Sequence, residues 1–375
     1  MIKFLQIKRE AHIIQVAYAD NKPPQAHLAR PLIIPLFIPH QGCPHRCTFC
    51  NQHTITGPPD GSLNRLKLSA IVDRFLGYRR RGHGIIQIAF FGGNFLGLPP
   101  DRVRHHLAAA SAYVRQGAVD NLRFSTRPDT ISPATLELIR TYPVRTVELG
   151  VQSMDDGVLA AARRGHWAAD TIQAVRRLKA AGYEIGLQIM TGLPDDTPAK
   201  ATATVEAIID LQPAFVRIYP TLVIAGSPLA ADYQAKRYRP APLSASLDLV
   251  ARLWLRLTAA GIRVVRMGLQ DNPAMIDRAQ RLAGPYHPAF GELVRGRIFR
   301  AMAHAALKRS PGTNGRLVVR VNPRRVSVMT GPHRQNLLRL QKTFGLDNLR
   351  VKGDATLAPN QLTVDNRQAP IQPSV

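Results

Sequence analysis

The sequence predicts an α/β protein, a partial (β/α)6 TIM-like barrel followed by a small basic α+β module. Three observations carry that reading. Short β-branched runs alternate with longer amphipathic stretches through most of the 375 residues, as parallel strands joined by crossover helices do. Helix boundaries carry matching punctuation, with Ser132-Pro133 at one start and Gly182 just past one end. After Gly291 the alternation gives way to an Arg-rich segment with shorter elements.

Taken in order, strands are expected at Leu32–Ile38, Ile85–Phe91, Leu122–Ser125, Thr146–Gly150, Glu184–Ile189 and Phe215–Tyr219, with a further candidate at Ile262–Met267. Helices are expected at Leu66–Arg80, Asp101–Arg115, Pro133–Thr141, Asp155–Arg164, Asp170–Ala181, Pro198–Leu211 and Leu243–Ala260. Six repeats fall short of the eight that close a barrel, and catalytic groups belong at the C-terminal strand ends where the βα loops gather. The later module is expected to hold strands at Leu317–Val321, Arg325–Met329, Leu349–Val351 and Leu362–Val364, with a helix at Gln335–Thr343. The division expected is an N-terminal extension over 1–30, a core domain over 31–290 and a C-terminal module over 291–375 with a loose tail.

Composition narrows the function. With 45% hydrophobic and 20% charged residues the chain is not disordered. The formal charge of +25 invites a polyanionic partner, RNA above all, unless it reflects a general Arg bias. Residues 291–375 hold 15 Lys and Arg against 4 Asp and Glu, so the excess is concentrated there. The longest apolar run, Leu32–Pro39, is too short to cross a membrane. The first ten residues do not read as a secretory signal, so a cytoplasmic protein is expected. Near the end, Gly331-Pro332-His333-Arg334 precedes a helix and reads either as a phosphate-binding turn or as a plain one.

All three cysteines, Cys43, Cys47 and Cys50, lie within eight residues just after the first barrel strand. An odd number so closely spaced is no disulfide framework. A 4Fe-4S cluster held by three thiolates keeps one iron open to an outside molecule, which suits chemistry rather than plain electron transfer. The rivals are a Cys3His zinc site using His40, His45 or His53, a single nucleophilic cysteine, and unliganded thiols. Zinc usually draws on two ligand pairs across a long spacer, and no second pair follows here.

With Phe49 before the last cysteine, the C-x3-C-x2-C loop resembles that of the radical S-adenosylmethionine (SAM) superfamily. From about Pro31 to Phe290 the chain is similar to the branch that holds the Elongator catalytic subunit and oxygen-independent coproporphyrinogen III oxidase. The resemblance implies that Cys43, Cys47 and Cys50 ligate a 4Fe-4S cluster whose free iron chelates SAM. One electron then cleaves SAM to a 5′-deoxyadenosyl radical that abstracts hydrogen from the substrate. It further implies that Phe49 lies near the adenine. Gly92, Gly93 and Asn94 take the family's Gly-Gly-Glu position, with a neutral amide or the backbone in place of the acid. Gln152 and Gln188 stand at ribose-contacting positions, and Arg164 faces the SAM carboxylate. The segment Thr126-Arg127-Pro128-Asp129 corresponds to one beside SAM. His287 and Tyr286 either face substrate or pack at a domain junction.

The function expected is a radical SAM enzyme that modifies tRNA, with tRNA or another RNA as partner and a reductant such as flavodoxin or ferredoxin. The Elongator subunit also carries an acetyltransferase domain, for which the stretch after Phe290 is too short. The alternatives are tetrapyrrole radical chemistry of the coproporphyrinogen oxidase kind and a non-catalytic haem or cluster carrier.

Overall fold

The computed structural model describes residues 4–10, 13–20, 31–38, 43–51, 63–78, 84–269, 277–310 and 317–365. His40, His53 and the tail from Asn366 lie outside them. The chain forms two units, one drawn from 23–243 and 262–286, the other from 1–22, 244–261 and 287–375.

In the first unit the apolar runs become a seven-stranded parallel sheet. Its strands are β3 (Leu32–Phe37), β4 (Ile86–Phe91), β5 (Asn121–Thr126), β6 (Val144–Gln152), β7 (Glu184–Thr191), β8 (Phe215–Pro220) and β10 (Arg263–Met267), in the order β10-β8-β7-β6-β5-β4-β3. The order ends at β10 and β3 without closing, so the barrel is partial. Each expected barrel strand is present. Crossovers run through α1 (Arg65–Leu76), α2 (Pro100–Arg115), α3 (Pro133–Arg140), α4 (Asp156–Ala161), α5 (Ala168–Ala180) and α6 (Pro198–Asp210). Side chains of Ser132, Asp155 and Thr197 cap α3, α4 and α6, each filling one orphan N–H of a first turn.

Alternation along the strands separates two chemistries. Ile88, Phe90, Leu122, Phe124, Val147, Leu149, Leu187 and Val216 are buried and apolar. On the opposite face Gln87, Arg123, Glu148 and Arg217 form a polar network. Arg123 pairs with Glu148, Arg217 Nε donates to Glu148 Oε2 at 2.6 Å, and Arg123 Nη1 donates to Gln87 Oε1 at 3.2 Å. The two guanidiniums also lie over the rings of Phe215 and Phe91, at 5.2 and 5.8 Å. A further helix, α7 (Pro228–Gln234), follows the short strand β9 (Val223–Ile224), which pairs with β11 (Arg281–Ala283).

The second unit corrects the expected division. Its five-stranded sheet has the order β1-β2-β14-β12-β13, with β1 (Leu5–Glu10), β2 (Ile13–Tyr18), β12 (Leu317–Val321), β13 (Leu349–Gly353) and β14 (Gln361–Asp365). Antiparallel pairing of β2 with β14 joins the N-terminal residues to the C-terminal ones. The alternation in Ile13–Tyr18 buries Ile14, Val16 and Tyr18, a face that a free extension would leave in water. Helix α8 (Leu243–Ala259), expected with the barrel, belongs to this unit: Trp254 and Phe299 meet Tyr18 edge-on at 5.1 and 6.5 Å. Phe299 comes from α9 (Phe290–Leu307), a helix the sequence reading left unassigned.

The expected strand at Arg325–Met329 is instead a short helix, α10 (Val326–Thr330). Consecutive Val328 and Met329 are both buried, which a strand with one covered face does not allow, and Gly331 ends the helix at φ 73°. The residues before α11 (Gln335–Phe344) form a turn with His333 and Arg334 at φ 48° and 60°. No helix among the described residues is long and apolar enough to cross a membrane.

Candidate active site

The cysteine loop is pinned from two sides. The Thr48 N–H donates to Ala162 O at 3.0 Å beyond α4, and the Leu229 N–H of α7 donates to Thr48 O at 2.8 Å. Asn51 Nδ2 donates to Ala225 O at 2.6 Å. Phe49 sits in apolar surroundings made by Val158, Ala162 and Leu193 on one side and Val223, Leu229 and Ala230 on the other. It therefore serves as a packing anchor for the loop whatever else it touches. Cys47 is buried and Cys43 and Cys50 are half-buried, all three without a disulfide. Burial pushes the Cys43 thiol up to about 11, against the pull of Arg164 and Arg127.

Arg164 connects this loop to the sheet. Its Nη1 donates to Cys47 Sγ at 3.4 Å and its Nη2 to Gly150 O at 2.6 Å near the end of β6. Gly150 is a glycine for a spatial reason: a Cβ there would lie 2.9 Å from Arg164 Nη2 and 3.1 Å from Gln152 Nε2. Gln152 closes the strand at φ 71°, a left-handed conformation costly for a side chain and concentrated at functional sites. The β6–β7 register shifts between Gly150 and Gln152. Across it, Gln188 Nε2 donates to Gln152 Oε1 at 3.4 Å. Cys47, Gln152, Arg164 and Gln188 are thus brought together. Gly165 follows Arg164 at φ 68° and lies so close to the His45 ring that a Cβ would collide with it.

After β4 the chain turns through Gly92 and Gly93 at φ 92° and 106°, which keeps side chains off the backbone there. Asn94 follows directly. It is buried, and its Oδ1 accepts from Thr126 Oγ1 at 2.7 Å and from the Arg127 N–H at 3.1 Å. The amide oxygen that stood in for the family's acid thus ties the β4 loop to the end of β5. Arg127, 1% exposed, holds Asp129 through Nε and Nη2, each at 2.9 Å. Burial first, then Arg164 and Arg127, lower the pKa of buried His166 to about 3, so its ring is neutral. Tyr286 packs on Leu222 and Ile224 with the Arg281 guanidinium 3.8 Å from its ring centre. His287 Nδ1 accepts from the Ala289 N–H at 3.0 Å at the start of α9. Both have structural partners.

Donor chemistry fits a cuboidal cluster and a zwitterionic ligand beside it. Three cysteines without disulfides on one short loop suit a cluster in which each thiolate binds an iron of its own. Arg164 Nε and Arg127 Nη1 are buried without a hydrogen-bond partner, and buried guanidinium donors left open favour an anionic group.

The radical SAM superfamily model matches residues 37–208, and the Radical_SAM C-terminal domain model matches 213–300. The chain belongs to the radical SAM superfamily. The superfamily's cofactors, a 4Fe-4S cluster and SAM, are those of this chain. Several relatives it matches are of the Elongator type. "Elongator complex protein 3" of Danio rerio is 28% identical over 277 residues, 61% of this chain and 49% of that protein. "tRNA uridine(34) acetyltransferase" of Dehalococcoides mccartyi (strain CBDB1) is 31% identical over 158 residues, 41% of this chain and 34% of that one. The chain spans half or less of the length of these relatives. Archaeal Methanocaldococcus infernus Elp3 with an N-terminal deletion shares the fold, with a TM-score of 0.56 at 21% identity over 73% of this chain and 64% of that one.

The sequence reading missed Arg123, Glu148 and Arg217. Their signal is a charge inside each apolar run, as in Leu122-Arg123-Phe124 and Val216-Arg217-Ile218, which alternation sends to the face opposite the helices.

Proposed function

We propose that this radical SAM enzyme acts on tRNA, with Cys43, Cys47 and Cys50 holding the cluster. Arg164, Gln152, Gln188 and the Gly92-Gly93 backbone then frame SAM, with Phe49 packing the loop. When bound, the reduced cluster supplies the electron that cleaves SAM to methionine and a 5′-deoxyadenosyl radical. The chain's own part is to fix geometry. Arg164 directs a donor pair at Cys47 and Gly150, and its open Nε offers a charge-assisted bond to a carboxylate. Gln152 and Gln188 offer amides to hydroxyl groups, and the neutral His166 ring keeps a second positive charge from crowding Arg164.

The bridge from Arg164 to Cys47 carries this reading, because it ties the cysteine loop to the strand end where SAM would lie. Support for tRNA comes from the Elongator-type relatives and from the charge of +25. The three reduced cysteines support a cytoplasmic location, where a flavodoxin or ferredoxin would serve as reductant. The test is hydrogen transfer. With tRNA deuterated at its uridines, the reconstituted enzyme should release deuterated 5′-deoxyadenosine; SAM cleavage without label transfer from any tRNA would contradict the substrate assignment.

A further inference from the structure

Three helices of the second unit line an open pocket of about 430 Å³, with Arg297, Arg300, His304, Arg339, Lys342 and Asp248 on its walls. The sequence builds its basic walls simply. Arg297, Arg300 and His304 recur at three- and four-residue spacing on α9, and Arg339 and Lys342 are three apart on α11, so each set shares one helix face.

Ordinary structural roles account for only part of this lining. Arg297 is committed, donating to Ser244 Oγ at 2.9 Å and facing Asp248 Oδ1 at 3.6 Å. His304 packs on Phe344 with ring centres 5.0 Å apart. Lys342 and His304 lie in the last turns of their helices, where the dipole favours cations. Arg300 and Arg339 lie in mid-helix, where no such benefit applies. Among the described residues no ion pair joins Arg300, Arg339 or Lys342 to a carboxylate, and Asp248 acts on Arg300 only at longer range. Burial, then the like charges of Arg297 and Arg339, lower the pKa of Arg300, with Asp248 opposing. Such a cluster stores repulsion that an anion relieves, and its size suits a phosphate with its attached sugar rather than a lone halide.

We propose that this cavity binds a phosphate group carried by the RNA backbone, an inference that rests on the tRNA reading above. Planar guanidiniums match phosphate oxygens two at a time, and Arg339 and Lys342, which line the pocket, are exposed and so reachable by a phosphate on a strand too large to enter.

The experiment is a salt-dependent binding titration of labelled tRNA transcript on the full chain, comparing wild type with the double variant Arg339→Glu/Lys342→Glu. A charge-matched control, Arg104→Glu/Arg140→Glu, alters two exposed helix faces of the first unit. The cavity variant should lose ~10-fold or more in affinity and flatten the log–log salt slope by ~2, while the control loses far less. Inorganic tripolyphosphate should compete with tRNA for wild type and not for the variant. Reductive SAM cleavage without tRNA should be unchanged in both, which separates failure here from failure of the enzyme reading. Equal tRNA affinity of wild type and cavity variant overturns the proposal while leaving the tRNA reading intact. Tripolyphosphate binding lost with tRNA affinity unchanged overturns the RNA source, and wild type that binds no tRNA overturns both.

Discussion

Arg164 donates to the sulfur of Cys47 at 3.4 Å although the two residues stand 117 positions apart. One guanidinium thereby joins the cysteine loop to the end of β6, where its second nitrogen holds Gly150 O. The local geometry follows from small residues: Gly150 leaves room for the guanidinium, and Gly165 accepts the turn that aims it.

Arg164→Ala should leave the cluster in place and impair SAM binding. Losing a charge-assisted bond costs about 1.5–3 kcal/mol, which corresponds to a roughly 10- to 150-fold rise in KM for SAM. Iron content beside 5′-deoxyadenosine kinetics checks this; unchanged KM would remove Arg164 from the SAM site.

Gly150→Ala tests the same geometry from the opposite side. Its new methyl would press on Arg164 Nη2 and Gln152 Nε2, so SAM turnover should fall while unfolding shifts by about 1–3 kcal/mol at most, the usual range for overpacking. Parallel denaturant titration and SAM-cleavage assays separate the two effects.

Glu148 lies between Arg123 and Arg217 and is 3% exposed. Removing one member of a buried ion network strands the others, so Glu148→Ala should cost about 3–5 kcal/mol in urea unfolding. A loss under about 1 kcal/mol would mean that the two arginines find other partners.

Burial first, then His105 and Arg102, lower the pKa of His106 to about 4 from 6.5. The folded state resists protonation that the unfolded chain accepts, so this contribution is intact above pH 6.5 and is lost as pH falls towards 4. The stability at stake is about 3 kcal/mol. His106→Leu should flatten the acid limb of the stability curve over that window, as followed by denaturant midpoints.

Much of the barrel was legible because period and punctuation agree there. Leu122–Ser125 and Phe215–Tyr219 are bounded apolar runs, and each pairs in parallel as expected. The module was less legible because its sheet is assembled from both ends of the chain: nothing local to Ile13–Tyr18 announces Gln361–Asp365 as its partner. Arg325–Met329 was misread because five residues do not distinguish alternation from a helical turn. At the site, the spacing of Cys43, Cys47 and Cys50 was visible at once, and Arg164 and Gln152 were visible through resemblance. The partners of the Asn94 oxygen, Thr126 and Arg127, were not legible because they arrive from the next βα unit.

The most direct test of the radical reading is anaerobic reconstitution with iron and sulfide, followed by reduction in the presence of SAM. The expected result is a brown protein with about four irons per chain that forms 5′-deoxyadenosine and methionine, and loses both colour and product on Cys47→Ala. A colourless protein that retains zinc, or a brown one that yields no 5′-deoxyadenosine above background, would contradict it.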